Sequence, residues 1–409
     1  VLDDGNTRLG LVICDACMIG RDVFDQARKL IAAKSTINPG SILMAATHTH
    51  AAVRATHIGT GKLDDAYHQQ LAHGITQAVL AAEKNLAPAQ LAHGSFQKPA
   101  MIACRRFLCK PGTVAPNPFG IGGERIKSVS GRSSGVIKPA GPVDPQFSVL
   151  SLQHTDGSPL AMLGNFSVHY CGGYQRGLVS ADYFGHYAAA LEAELTTGKG
   201  RPPFVGIMSN GTSGNTGAIR KDGKKYEPFE WIKVSGRLLA AETIKTIEKL
   251  NHRSDITLQA VQAKLTLGVR KPDAQRIKWA QGVLANPTVK QAHNWTTVYA
   301  NETLHLSRYP DQKSIILQAI RLGDIAIAAA PCEVFAETGL AIKRRSPFPK
   351  TFTIELANGY GGYLPSPEQH KLGGYETWPA RSSFLEVEAE PKIQQALVNL
   401  LKQLKGNSR

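Results

Sequence analysis

Ser41-Ile42-Leu43-Met44-Ala45-Ala46-Thr47-His48-Thr49-His50 is an apolar run that ends in two histidines one residue apart. An apolar run of this length reads as a buried strand. Side chains alternate along a strand, so His48 and His50 are expected on one face. A buried strand that delivers two imidazoles at its C-terminal end suits a metal or acid/base site. The competing reading has one histidine packed in the core and the other ending a turn.

The flanks extend the pattern. Upstream, 9–14 reads as a strand and 22–33 as a short helix leading to Pro39-Gly40. Downstream, 63–85 reads as a long amphipathic helix, with Leu71, Ile75, Val79 and Leu80 near helical spacing. A strand over 88–96 follows. Strand, helix and strand in alternation predict an α/β fold: mixed β-sheets flanked by helices in a layered sandwich. The stretch 103–145 is rich in Gly, Pro, Ser and basic residues and has little periodicity. It is expected to be an irregular, substrate-facing loop opened by Cys104-Arg105-Arg106.

The delivery of a polar residue by an apolar strand recurs. A strand pair over 146–154 and 159–168 turns at Asp156-Gly157 and ends in Asn165-Phe166-Ser167-Val168-His169. A helix over 181–195 and a strand over 204–209 lead to Asn210-Gly211-Thr212-Ser213-Gly214-Asn215-Thr216-Gly217. That turn is dense in backbone N–H and hydroxyl groups. It reads equally as an anion or oxyanion site and as a tight loop. Helices are expected over 230–250, 274–285 and 386–404, a strand over 256–267, and a hairpin over 315–322 and 325–330. The region leading to Arg308 is ambiguous. The hairpin ends in Pro331-Cys332-Glu333, where a helix to 344 should start. A strand over 352–356 runs into Asn358-Gly359-Tyr360-Gly361-Gly362-Tyr363, with Gly373-Gly374-Tyr375-Glu376-Thr377 further on. No internal repeat or linker stands out, so 1–409 reads as one domain.

The 409 residues can bury a large core. No segment is apolar enough to span a bilayer. A net charge of +15 permits anionic partners. The basic residues are scattered and there is no nucleic-acid-binding signature, so nucleic acid is not expected as a partner. Six cysteines are too few for a disulfide scaffold, and they read mostly as buried thiols, Cys14-Asp15-Ala16-Cys17 included. The opening Val1-Leu2-Asp3-Asp4-Gly5-Asn6 reads as a strand and turn already in progress, so an upstream segment is expected. Oligomeric state is not legible.

His48, His50, His169 and Glu333 thus sit where buried strands end, with Tyr363 and Tyr375 on nearby loops. Two imidazoles, a carboxylate and a further oxygen are the donor set of a catalytic zinc site.

At this point the ordered motifs resemble the N-terminal catalytic domain of the neutral/alkaline non-lysosomal ceramidase family. They are Ala46-Thr47-His48-Thr49-His50, Asn165-Phe166-Ser167-Val168-His169, Pro331-Cys332-Glu333, and Asn358-Gly359-Tyr360-Gly361-Gly362-Tyr363 with Tyr375-Glu376. The resemblance implies Zn²⁺ held by His48, His169, Glu333 and Tyr363, and a zinc-activated water acting on an amide (N-acyl) bond. It implies that His50 and Tyr375 polarise the scissile group and that Arg105 holds a polar or anionic part of the substrate. Arg106, Asn215 and Thr216 are expected as further substrate contacts. Asp182 matches an acidic residue that either orients a ligand or caps a helix. A secreted or periplasmic location is also implied.

The sequence departs from the family in Ala51-Ala52-Val53, where the family has Ser-Gly-Pro. It departs again in Gly214-Asn215-Thr216-Gly217, where the family has Gly-Asp-x-Ser. No C-terminal immunoglobulin-like domain is expected in the chain. A substrate more polar than ceramide fits these differences. The alternatives are a carbohydrate-active enzyme working on an acidic glycan and a binding protein without catalysis.

Overall fold

The computed structural model describes residues 1–58, 63–128, 134–175, 177–196, 202–219, 223–286 and 294–406. Positions 129–133 of the expected loop lie outside them.

The opening stretch forms the strand Ile42–Ala46, every residue of it buried. It runs parallel to Arg8–Cys14, with Gly10 opposite Ile42 and Cys14 opposite Ala46. Leu2–Asp3 completes this sheet on the far side of Arg8–Cys14. A four-stranded sheet follows the order Val205–Asn210, Pro159–Phe166, Gln146–His154, Ala89–Gln97. A second has the order Leu258–Gly268, Gln312–Leu322, Ile325–Ala329, Lys350–Ile354. Each of these two sheets mixes one parallel pairing with antiparallel ones.

The three sheets share a core. Leu43 and Ala45 of the first pack with Leu150 and Leu163 of the second and with Ile320, Ile327 and Phe352 of the third. Helices cover the outer faces. Arg21–Ala32 and Asp65–Lys84 bury Phe24, Ile31, Ile75 and Val79 against the first sheet. Asp182–Leu195 and Glu230–Ile247 bury Tyr183, Tyr187 and Leu239 on the second. Ala389–Gly406 packs Ile393, Leu397 and Leu401 on the third. This is the layered α/β arrangement expected from the alternation of elements. Among the described residues, no helix is long and apolar enough to cross a membrane.

Three local expectations change. The 103–145 stretch carries a small sheet of Ile126–Ser128, Arg106–Cys109 and Val136–Pro139. Its strands are three to four residues long, too short for alternation to show in the sequence. The ambiguous region contains the helix Trp295–Ser307, started by the Asn294 side chain accepting from the Thr297 N–H. Glu333 does not start a helix. It lies in the strand Glu333–Val334, and the helix begins at Ala336.

Candidate metal centre

The strand Ile42–Ala46 stops before the histidines. Thr47 N–H donates to the Cys14 carbonyl and His48 N–H to that of Ala16, each at 2.9 Å. His48 then turns with φ at +74°, a left-handed conformation that costs a non-glycine residue of order 1–3 kcal/mol. His48 and His50 do meet, Nε2 to Nε2 at 3.2 Å. Strand alternation is not the cause: a turn locked by the Cys14–Cys17 segment brings them together.

His169 arrives beyond the strand Pro159–Phe166, and its Nε2 lies 2.8 Å from that of His48. Glu333 Oε2 stands 3.4 Å from His48 Nε2 and 3.8 Å from His169 Nε2. His48, His169 and Glu333 are each 1% exposed. The tautomers follow from the other ring nitrogens. His48 Nδ1 is 2.7 Å from the Cys17 carbonyl, and His169 Nδ1 is 3.2 Å from that of Ser213. A nitrogen facing a carbonyl must donate, so in the neutral rings both Nε2 atoms carry lone pairs. Glu333 Oε2 is buried and has no hydrogen-bond donor. Three acceptors therefore converge with no donor among them, a costly arrangement unless positive charge sits between them.

The electrostatics show the same demand for positive charge, which a proton on His48 would answer. Burial opposes protonation of His48, but Cys17 and Glu333 outweigh it and hold the pKa well above its usual value. Burial, Arg105 and the neighbouring imidazoles hold His169 well below. Burial raises the Glu333 carboxyl, yet His48, Tyr360 and Arg105 bring it below its usual range. The donor set, two imidazole nitrogens and one carboxylate oxygen, fits a transition-metal ion such as zinc.

Tyr363 is the register partner of Glu333 across two short parallel strands. Its hydroxyl accepts from Arg105 Nη2 at 3.1 Å and lies 3.4 Å from the Tyr375 hydroxyl. Burial and Glu333 push the Tyr363 pKa well up, while Arg105 pulls it down. The Arg105 guanidinium sits 5.7 and 5.6 Å from the Tyr363 and Tyr375 ring centres and donates to the Gly214 carbonyl at 2.8 Å. His50 is exposed at the mouth, stacked on Tyr170 with ring centres 3.9 Å apart. The protein around its closed side, and then His48, lower its pKa to about 3, so its imidazole is neutral. Ala51, at the departure from the family motif, bonds through its carbonyl to Ser180 N–H at 2.8 Å and closes this rim.

Arg106, Asn215 and Thr216 are fully buried. Arg106 pairs with Glu376 and donates to the Gly373 carbonyl. Asn215 joins Glu337 to the Ala336 N–H, and Thr216 donates to the Ser167 carbonyl. Their polar groups are engaged inside the protein, where they brace the site. The 210–217 turn is likewise scaffold: Gly214 N–H donates to Val334 and Ser213 N–H to Glu355. Asp182 does not cap its helix through Asp182 itself acting as N-cap residue, since Ala181 holds that position. Its carboxylate accepts from Cys171 and Gly172 N–H, fixing the loop just past His169.

Other residues emerge only from the structure. Tyr360 donates to Glu333 Oε1 at 2.7 Å. Glu355 accepts from Ser213 and Val334 N–H, at 3.1 and 2.8 Å. Cys17 contributes its carbonyl. Tyr360 lies inside a motif already singled out. Nothing in the sequence marks Glu355. All six cysteines are free, half of them buried and half partly so.

Fold and site together define a layered α/β protein with a buried candidate metal centre at the ends of its strands. The fold is that of neutral ceramidase, as the sequence motifs led one to expect. Over 97% of its length the chain matches the crystal structure of neutral ceramidase from Pseudomonas aeruginosa, with a TM-score of 0.68 and 17% identity, and it spans 66% of that chain. A ceramidase structure complexed with C2 matches 98% of this chain, again at 17% identity, with a TM-score of 0.69 and 68% of that chain covered. No family model and no curated protein matches the sequence.

Proposed function

We propose that this chain is a zinc-dependent hydrolase acting on an amide (N-acyl) bond in a small substrate more polar than ceramide. The observation that carries the reading is the convergence of His48, His169 and Glu333 as acceptors without a donor. The ceramidase fold supports an amide as the target.

His48, His169 and Glu333 would hold the ion, and Tyr363 would complete the set. When bound, such an ion supplies Lewis acidity and lowers the pKa of a water to ~7. The chain's own residues do the rest. Neutral His50 accepts a hydrogen bond, or donates one, at the mouth where an amide would enter. Burial pushes the Tyr375 pKa up, so its phenol keeps its proton and donates to a carbonyl oxygen or leaving nitrogen. Arg105, braced by Tyr363 and Gly214, holds a polar or anionic group of the substrate. Secretion or export to the periplasm belongs to the same proposal.

A second reading is an enzyme acting on an acidic glycan. Arg105 between two phenols favours it, since a tyrosine can serve as acid or base. Purified protein assayed against N-acyl amines and uronate oligosaccharides separates the two. Turnover of the first set, lost with chelator and restored by zinc, supports the amidase. Turnover of the glycans alone replaces it. Absence of metal by elemental analysis, with no activity on adding zinc, points to a binding protein.

A further inference from the structure

The turn Tyr375–Thr377 has a second side. Tyr375 reaches the metal centre, while Gly373, Thr377 and Trp378 line a cavity of about 410 Å³ that includes none of the histidine cluster. Its far wall comes from residues 117–124, part of the stretch whose opening residue Arg105 serves the metal centre.

The charge of this cavity is unbalanced. Arg270, Arg276 and Lys371 line it against a single carboxylate, Glu124. Glu124 is occupied: it accepts from Asn117 Nδ2 at 2.9 Å, Gly374 N–H at 2.9 Å and Trp378 Nε1 at 2.7 Å. The Arg270 guanidinium donates to the carbonyls of Leu385, Thr377 and Ser383 and to the Ser383 hydroxyl. Among the described residues no carboxylate acts on it, and burial alone pulls its pKa down to about 10. Arg276 lies over the Phe119 ring, 3.8 Å from its centre. A cation held like Arg270 in a partly dry cleft without a carboxylate beside it is costly, and an anionic ligand would relieve that cost. Guanidinium groups suit planar or tetrahedral oxyanions, and Trp378 adds an apolar ring to the lining.

We propose that this cavity is a subsite for a sugar ring bearing an oxyanion, a carboxylate or a sulfate. It would recognise the part of the substrate remote from the bond that is cut. This last step rests on the proposed hydrolase; the binding itself does not.

The test is an equilibrium titration without turnover, using glucuronate, glucose 6-sulfate and glucose as probes. Glucuronate or glucose 6-sulfate should bind and glucose should not, and raising the salt should weaken binding. Whichever of the two binds more tightly identifies the oxyanion. Arg276→Gln should weaken binding about tenfold or more, the loss expected for one charge-assisted hydrogen bond. Lys371→Gln, on an exposed position, should weaken it less while leaving the fold intact. Both variants should retain the metal. Equal binding of glucose, no binding of either anion, or unchanged affinity in both variants would overturn the subsite. None of these results would bear on the metal centre, which elemental analysis reads separately.

Discussion

Glu333 and Tyr363 face each other across two parallel strands of two residues each, while Tyr360, three residues earlier, donates to the Glu333 carboxylate. One tyrosine is therefore set to orient the carboxylate and the other to stand beside it. Tyr360→Phe should lower metal affinity about 10–100-fold, as loss of a ligand's hydrogen-bond partner commonly does. Competition with a chelator measures it; unchanged affinity would leave Tyr360 a packing residue.

His169→Ala removes one of the three convergent acceptors. The variant should fail to retain metal. Full occupancy by elemental analysis would sink the assignment of His169 as a ligand.

Tyr375→Phe should keep the metal and lose rate, by about 10²–10⁴-fold if the phenol is the proton donor. If the variant binds no metal, Tyr375 rather than Tyr363 is the ligand. The 3.4 Å between the two hydroxyls makes that a real alternative.

Gly214→Ala tests the scaffold. A Cβ there would lie 2.4 Å from the Glu333 carbonyl oxygen, a backbone atom that cannot swing away. Destabilisation of about 1–3 kcal/mol is expected, together with weaker metal retention. Denaturant melts read the first. A variant as stable as the parent would mean that the turn shifts without strain.

Acid should destabilise the protein through His93 and His370. Burial first, then Lys350 for His93 and Arg270 for His370, lower their pKa values from 6.5 to about 4. The folded state thus refuses protons that the unfolded chain accepts below its pKa of 6.5. Stability is full above that value and declines as pH falls towards 4. Thermal melts of His93→Leu between pH 7.5 and 4.5 should show a shallower decline than the parent. An identical slope would remove His93 from the account.

The apolar runs over 41–46 and 159–168 are strands because continuous hydrophobicity is a local property. The polar residue at the end of each run is equally local. That much, with the long helices and the layered class, the sequence determined by itself. It could not determine how His48 meets His50. Period two placed them on one face of a strand, but the strand ends at Ala46 and a left-handed turn does the work. Nor could spacing distinguish Arg105, which reaches Tyr363, from Arg106, buried against Glu376 one residue later. Neighbours in sequence can face opposite ways, and which way is inward depends on segments hundreds of residues distant. His48 and His169 are separated by 121 positions, and their Nε2 atoms come within 2.8 Å only because separate sheets share one core. The tertiary structure alone decided that these acceptors converge and that an unbalanced basic cavity lies behind Tyr375.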